Sequence, residues 1–129
     1  MQGVRTLIVD DSSVMRKIVQ RCLQQAGVEL AEVREANNGT DALDIAAKNQ
    51  LDLILCDLNM PVMDGIEFLR RLKHIERAKN VPVVMISSEG GEAHVLHALS
   101  VGARGYMRKP FTSDQVKEHV VPLLAAAVK

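Results

Sequence analysis

The sequence predicts a doubly wound α/β domain, with a five-stranded parallel sheet and helices on both faces. Five short apolar segments are each followed by a helical pattern, and connections of that length imply parallel strands with right-handed crossovers. The central segment, Leu53–Cys56, is apolar without alternation, which is typical of a strand buried on both faces. The 129 residues suit one core, so we expect a single domain over residues 1–129.

The first strand is predicted over Thr6–Val9, and it ends at Asp10–Asp11. A helix follows, because Ser12 or Ser13 can act as its N-cap and Gly27 can end it at the C′ position. Its predicted buried face has apolar residues at helical spacing: Met15, Ile18, Val19, Cys22, Leu23 and Ala26.

The middle of the chain starts with a weaker strand over Glu32–Ala36, whose alternation of charged and apolar residues favours a sheet edge. A second helix is predicted over Asp41–Lys48, and the central strand then ends at Asp57. Asp64 can cap the third helix, with Glu67 in the reciprocal capping-box position. The predicted buried stripe of that helix is Ile66, Leu69, Leu72 and Ile75.

The last part of the chain contains a fourth strand over Val83–Ile86 and a short fourth helix that stops near Gly102. A fifth strand is predicted over Gly105–Lys109, and Thr112 can cap the last helix. Pro122 should distort that helix, because it lacks a backbone N–H and crowds the preceding turn.

Charge and composition exclude several classes of partner. Sixteen basic residues balance sixteen acidic ones, so we expect no nucleic-acid binding and no attraction to an anionic membrane. The longest apolar stretch, Val120–Val128, is too short to span a bilayer. Cys22 and Cys56 form no Cys-x-x-Cys motif, and no signal-peptide pattern is present. We therefore expect a reduced, cytoplasmic protein without membrane insertion, and a monomer is the working expectation.

Charged and hydroxyl side chains follow four of the five predicted strands: Asp10–Asp11, Asp57, Ser87 and Lys109. In a parallel sheet these positions lie at one edge, where open α/β sheets bind ligands. Three carboxylates there would repel one another unless a divalent cation lay between them. Carboxylate oxygens favour Mg²⁺ or Mn²⁺, and no Cys/His set has zinc spacing.

A hydroxyl and a lysine beside such a metal could hold a tetrahedral anion. Together with the carboxylate of Asp57, Ser87 and Lys109 suit transfer of a phosphoryl group to give an acyl phosphate. Each residue also has a simpler explanation as a helix cap, a turn residue or a solvated charge. Their coincidence at one sheet edge favours the phosphoryl-transfer hypothesis.

The same residues give the chain a clear family resemblance. It resembles the receiver domain of two-component response regulators over essentially its whole length, through Asp10–Asp11, Asp57–Gly65, Ser87 and Lys109–Phe111. The resemblance implies a flavodoxin-like (βα)5 fold with strand order 2-1-3-4-5. It also implies no output domain within residues 1–129.

For the metal site, the resemblance implies that Asp57 is the phosphoacceptor. Asp11, Asp57 and the backbone carbonyl of Asn59 would bind Mg²⁺ directly, and Asp10 would act mainly through water. Lys109 would pair with the phosphoryl group or with Asp57.

For the switch, the resemblance implies that Ser87 donates a hydrogen bond to the phosphoryl group. Tyr106 would then swing inward as an aromatic switch, although it could also be a plain boundary aromatic. Backbone N–H groups at Asn59 and Ser88 would take the remaining phosphoryl oxygens.

The implied partners are a histidine kinase as phosphodonor and a target protein that docks on the face of the fourth helix, fifth strand and fifth helix. Asn59 and Glu89 match single-domain chemotaxis receivers, and they predict rapid hydrolysis of the acyl phosphate. We expect a signalling phosphoacceptor rather than an enzyme with an external substrate. A phosphorelay intermediate or a phosphate sink would have the same core residues.

Two other classes of protein fit less well. A phosphatase of the haloacid dehalogenase type needs an acidic residue two positions after its nucleophile, where this chain has Asn59. A flavin-binding module needs a hydroxyl- and glycine-rich phosphate loop after the first strand. Asp10–Asp11 would instead repel a phosphate there unless a metal intervened.

Overall fold

The computed structural model describes residues 3–58, 60, 63–87, 92–108 and 112–127, without the side chains of residues 92–95 and 125–127. Within these ranges five parallel strands form one sheet in the order β2-β1-β3-β4-β5, which confirms the predicted fold and strand order. The strands are β1 (Val4–Val9), β2 (Leu30–Ala36), β3 (Leu53–Asp57), β4 (Val83–Ser87) and β5 (Gly105–Arg108). The helices are α1 (Ser13–Gln25), α2 (Gly39–Lys48), α3 (Gly65–Leu72), α4 (Glu92–Val101), α5 (Ser113–His119) and α6 (Val121–Ala127).

The register of the sheet brings the ends of the central strands together. Val9 of β1 lies opposite Cys56 of β3, so the residues that follow them, Asp10 and Asp57, are neighbours. Asp57 in turn lies opposite Ile86, the residue before Ser87. The carboxyl ends of β1, β3 and β4 therefore present their polar residues at the same edge.

The core consists of two apolar layers, one on each face of the sheet. Ile54 and Cys56 belong to the layer covered by α2, α3 and α4, whereas Leu53 and Leu55 belong to the layer covered by α1, α5 and α6. All four side chains are fully buried. The unbroken apolar pattern of β3 thus follows from its central place in the sheet.

The helix ends agree with several predicted caps. Ser12 caps α1, and Gly27 adopts a positive φ of 89° just beyond its carboxyl end, where an L side chain would be strained. Asp64 caps α3 by accepting a hydrogen bond from the N–H of Glu67 at 2.9 Å. The carboxylate of Glu67 accepts from Arg71 Nε at 2.8 Å, an ion pair that the capping-box prediction did not include.

Two predicted helix boundaries were wrong, and β1, β2 and β4 are each one or two residues longer than predicted. The third helix ends at Leu72 rather than continuing to Ile75, because the N–H of Ile75 bonds to the Leu72 carbonyl in a tighter turn. Phe68, absent from the predicted stripe, is fully buried in α3. The second helix starts at Gly39, two residues before the predicted start at Asp41, because Asn38 caps it by accepting from the Asp41 N–H at 2.7 Å.

The distortion predicted at Pro122 is confirmed. The last helical region divides into α5 and α6 at Val120, which has φ −103° and ψ −48°. Pro122 is the second residue of α6, in the first turn, where a missing N–H costs no intrahelical bond. The Val120 carbonyl accepts from Leu123 at 3.0 Å and Leu124 at 3.2 Å. No helix in the described ranges combines the length and apolar character needed to cross a membrane.

Candidate functional site

Three carboxylates meet at the carboxyl edge of the sheet. Asp10 and Asp11 follow β1, and Asp57 is the last residue of β3. One ligand oxygen from each lies within 4.8 Å of the others. Asp10 and Asp57 are almost fully buried, whereas Asp11 is exposed. The cluster is thus closed on the protein side and open on the side of Asp11.

Local hydrogen bonds orient Asp10. Its N–H donates to the Ala36 carbonyl of β2 at 3.1 Å, which continues the sheet by one residue. Its Oδ1 accepts from the Ser12 N–H at 2.9 Å. The Ser12 hydroxyl in turn accepts from the Met15 N–H at 3.2 Å, so the turn that carries Asp10 and Asp11 also starts α1.

The sequence prediction missed Arg16, which it did not include among the site residues. Its Nη1 donates to the Asp10 carbonyl at 2.6 Å, and its Nε donates to Glu35 Oε1 at 2.9 Å. The sequence feature that could have indicated this contact is the position of Arg16, one helical turn after the N-cap residue Ser12. The prediction also missed Met63, whose side chain packs beside Gly39 near the site.

Ser87 and Tyr106 lie on the two strands next to β3. Ser87 ends β4 and is fully buried. Tyr106 lies on β5 opposite Met85, partly buried against the core layer of α2, α3 and α4. The structure therefore places Ser87 one strand away from Asp57, and Tyr106 one strand further along.

Several predicted site residues fall outside the described part of the chain. These are Asn59, Ser88, Glu89 and Lys109. Their predicted roles stay predictions.

The donor set of the cluster fits a hard divalent cation. It consists of three carboxylates, the ligand type that Mg²⁺ prefers. Among the described residues, this is the one group of three or more acidic, histidine or cysteine side chains close enough to share a metal ion. Asp10, Asp11 and Asp57 therefore fit Mg²⁺ or Mn²⁺ better than zinc.

The thiol of Cys56 lies next to Asp57 but is not suited to act as a nucleophile. It is fully buried, and its Sγ donates to the Asp57 carbonyl at 3.4 Å. Burial, with the nearby charges of Asp57, Asp10 and Asp64, raises the pKa of Cys56 well above its ordinary value. The thiol therefore stays protonated, and Asp57 has no competing nucleophile at this position.

An open cleft adjoins the cluster on the solvent side. Its volume is about 500 Å³, and it extends from Asp11 to the first turn of α2. Five of its seven lining residues have polar side chains; the lining consists of Asp11, Asn37, Asn38, Gly39, Thr40, Asp41 and Met63. The cleft gives a cation or an anion a route from solvent to the carboxylates.

Comparison with known families agrees with this geometry. A model of the response regulator receiver domain matches residues 6–121, from β1 to the start of α6. The chain belongs to the response regulator receiver family. Membership assigns it to two-component signalling, in which receivers act as signalling proteins rather than classical enzymes. Receivers bind Mg²⁺ in an acidic pocket, and the cluster of three carboxylates is such a pocket.

Individual relatives are of similar length. The receiver is 36% identical over 122 residues to a chemotaxis protein CheY homolog of Campylobacter jejuni, covering 94% of this chain and 92% of that protein. It superposes on the chemotaxis protein CheY4 of Vibrio cholerae with a TM-score of 0.83 and 34% identity, covering 94% and 98% of the two chains.

A third similar structure is the receiver domain of the sensor histidine kinase PA1611 of Pseudomonas aeruginosa. Its TM-score is 0.82 at 24% identity, with 95% of this chain and 98% of that chain covered. At this identity the likeness concerns the fold. That structure has a magnesium ion coordinated in its active site cleft.

Proposed function

We propose that this receiver accepts a phosphoryl group on Asp57 from a histidine kinase in the cytoplasm, and that phosphorylation switches its docking on a target protein. One observation carries the proposal: a buried carboxylate at the end of β3 lies within 4.8 Å of two further carboxylates. Such a group is poorly suited to a structural role, because buried like charges destabilise a fold unless a cation compensates them. The chemotaxis relatives favour a diffusible switch over a relay or a phosphate sink.

In this proposal Asp11, Asp57 and the Asn59 carbonyl hold Mg²⁺ directly, and Asp10 holds it through water. The bound cation would neutralise the carboxylates and the incoming phosphoryl oxygens. Asp11 suits the entry side, because it is exposed at the cleft while Asp10 and Asp57 lie behind it.

The transfer itself is a displacement at phosphorus. A carboxylate oxygen of Asp57 forms the new O–P bond, the N–P bond of the kinase phosphohistidine breaks, and the imidazole nitrogen keeps the electron pair. The product is an acyl phosphate. Ser87 would donate a hydrogen bond to one phosphoryl oxygen and Lys109 would pair with another, so that the charge of the transferred group is met by the chain.

The output would follow from a rearrangement on the neighbouring strands. Ser87 is fully buried on β4, and the partly buried Tyr106 lies on β5, so a shift of Ser87 toward the phosphoryl group would open space for the phenol ring. The adjoining helix α4 exposes the large apolar side chains of Leu96 and Leu99 to 59% and 43%, and residues three apart are neighbours on a helix surface. We propose the face of α4, β5 and α5 as the docking site of the target.

Covalent labelling tests the phosphoacceptor. Purified protein incubated with acetyl phosphate and Mg²⁺ should gain the mass of one phosphoryl group, and chelation of the metal should abolish the gain. Asp57→Asn should remain unlabelled. Asp41→Asn is the matched control, because it removes a carboxylate from the same cleft but outside the cluster, and it should be labelled as wild type. A label that survives in Asp57→Asn would contradict the proposal.

A further inference from the structure

The guanidinium of Arg16 links α1 to the peptide that joins the two aspartates after β1. Arg16 Nη1 donates to the Asp10 carbonyl at 2.6 Å, and the side chain is only 15% exposed. That carbonyl belongs to the peptide plane between Asp10 and Asp11. Any rotation of this plane would move both carboxylates, so a strong donor to its oxygen restricts both at once.

Glu35 holds the other side of the guanidinium. Its Oε1 accepts from Arg16 Nε at 2.9 Å, and its Oε2 accepts from Lys17 Nζ at 3.1 Å. Burial acts to raise the pKa of Glu35, but the hydrogen bonds from Arg16 and Lys17 outweigh it and lower the pKa overall. Glu35 therefore stays ionised at neutral pH and fixes the direction in which Arg16 points.

Two further hydrogen bonds restrain Asp10. Its N–H donates to the Ala36 carbonyl at 3.1 Å, and its Oδ1 accepts from the Ser12 N–H at 2.9 Å. Arg16 is a side-chain partner of Asp10, and it connects Asp10 to β2 through Glu35. The backbone on the amino side of Asp10 is thus held by the sheet, and the backbone on its carboxyl side by Arg16.

We propose that Arg16 is a positioning residue for the cation site, and that it pre-orients Asp10 and Asp11 by holding the peptide between them against Glu35. The inference rests on the proposed Mg²⁺ site. Partners that orient metal ligands from outside typically change metal affinity by about 10-fold to 100-fold when they are removed.

The direction of the change in Mg²⁺ affinity distinguishes a positioning role of Arg16 from a purely electrostatic one. A positive charge beside the carboxylates repels a cation, so loss of the charge alone would tighten Mg²⁺ binding. Loss of positioning would weaken it. Arg16→Ala should therefore bind Mg²⁺ about tenfold more weakly than wild type, against the direction of the charge effect.

Lys17→Ala is the matched control. Like Arg16→Ala, it removes one positive charge from α1 and one hydrogen bond to Glu35. Lys17 Nζ, however, bonds to Glu35 rather than to Asp10. A second control, Arg5→Ala, breaks an ion pair with Asp52 at the amino end of the strands and reports any general effect of lost stability. Both controls should bind Mg²⁺ with wild-type affinity or tighter.

The measurement is the Mg²⁺ dissociation constant by calorimetry, with Mn²⁺ binding followed by electron paramagnetic resonance. The rate of labelling by acetyl phosphate should show a raised half-saturating Mg²⁺ concentration in Arg16→Ala, with the rate at saturating Mg²⁺ near wild type. Arg16→Lys keeps the positive charge but lacks the planar guanidinium that bonds to both Asp10 and Glu35. Its Mg²⁺ affinity should lie between those of wild type and Arg16→Ala. It serves as the test protein if Arg16→Ala does not fold.

Wild-type or tighter Mg²⁺ affinity in Arg16→Ala would overturn the inference while leaving the proposed function intact. Equal weakening in Arg16→Ala and Lys17→Ala would also overturn it, because the effect would then not depend on the bond to Asp10. A wild-type protein that binds no Mg²⁺ would overturn both the inference and the proposed metal site.

Discussion

At the scale of single residues, the site combines two buried carboxylates with one exposed carboxylate. Asp57 is 4% exposed and Asp10 is 3% exposed, so the cluster is accessible mainly past Asp11 and the cleft beside it. A phosphoryl group on Asp57 would be hydrolysed by a water that approaches in line, opposite the aspartate oxygen. The side chains that flank the approach would then set the lifetime of the acyl phosphate.

Asn59 and Glu89 are the residues that we expect to control this lifetime. Both are polar and can hold a water in line with the O–P bond, whereas apolar replacements would block it. Asn59→Met and Glu89→Leu should therefore slow the decay of phosphorylated protein several-fold at saturating Mg²⁺, as measured by loss of the covalent label. Glu76→Leu is the control, because its side chain is 88% exposed and lies outside the carboxylate cluster. Unchanged decay in both site variants would rule the mechanism out, and slow decay in wild type would favour a phosphate store.

At the scale of elements, the position of the site depends on how closely α3 approaches the end of β3. The Gly65 N–H donates to the Leu58 carbonyl at 2.9 Å. A Cβ at Gly65 would lie 2.9 Å from both the Asp57 carbonyl oxygen and the Leu58 Cα, and would also meet Met85 Cε. Backbone atoms cannot move aside without displacing the end of β3, so a glycine is required here.

Gly65→Ala should therefore destabilise the protein by about 1–3 kcal/mol, the usual cost of overpacking a dense core. Gly39→Ala is the matched control, since Gly39 also begins a helix but its Cβ would meet the flexible side chain of Met63, 2.6 Å from Sδ. That thioether can shift, so Gly39→Ala should cost less than about 1 kcal/mol. Urea unfolding of both variants measures the difference. Equal stabilities of the two variants would show that the close approach at Gly65 is not restrictive.

At the scale of the whole molecule, three ion pairs stabilise the sheet, one at its amino end and two near its carboxyl end. Arg5 and Asp52 form a two-point contact of 2.9 Å and 3.0 Å where β1 and β3 begin. Arg16, Lys17 and Glu35 join α1 to β2 near the carboxyl end. Hydrogen bonds from the cationic partners lower the pKa of both Asp52 and Glu35.

The lowered pKa of Glu35 predicts how stability depends on pH. Because the folded value lies below the ordinary value of 4.5, the unfolded chain binds more protons, and stability falls as the pH falls. The contribution of Glu35 is complete above about pH 5 and is lost as the pH drops through the lower folded value. Glu35→Gln should thus be about 1 kcal/mol less stable than wild type at pH 7, and the gap should close in acid.

Denaturant unfolding between pH 7 and pH 3 measures this gap. Glu32→Gln is the control on the same strand, because Glu32 is 50% exposed and pairs with the exposed Arg34 at the surface. Its difference from wild type should stay small at every pH. A gap for Glu35→Gln that is constant with pH would contradict the assigned ion pair.

The order of elements and the meeting of Asp10, Asp11 and Asp57 were predictable because the signals for each element are local. Apolar runs mark the strands, and Ser12, Gly27 and Asp64 mark helix ends through bonds to residues a few positions away. Asp10 and Asp57 could be placed together because parallel strands end at one edge.

The tertiary structure decided what depends on contacts between distant segments. Arg16 bonds both to Asp10 and to Glu35, which lies nineteen residues further along the chain. The burial of Phe68 and the early end of α3 at Leu72 depend on how that helix packs against the sheet. Local patterns report which face of an element is apolar, but the neighbour that fills each position is chosen only when the layers pack together.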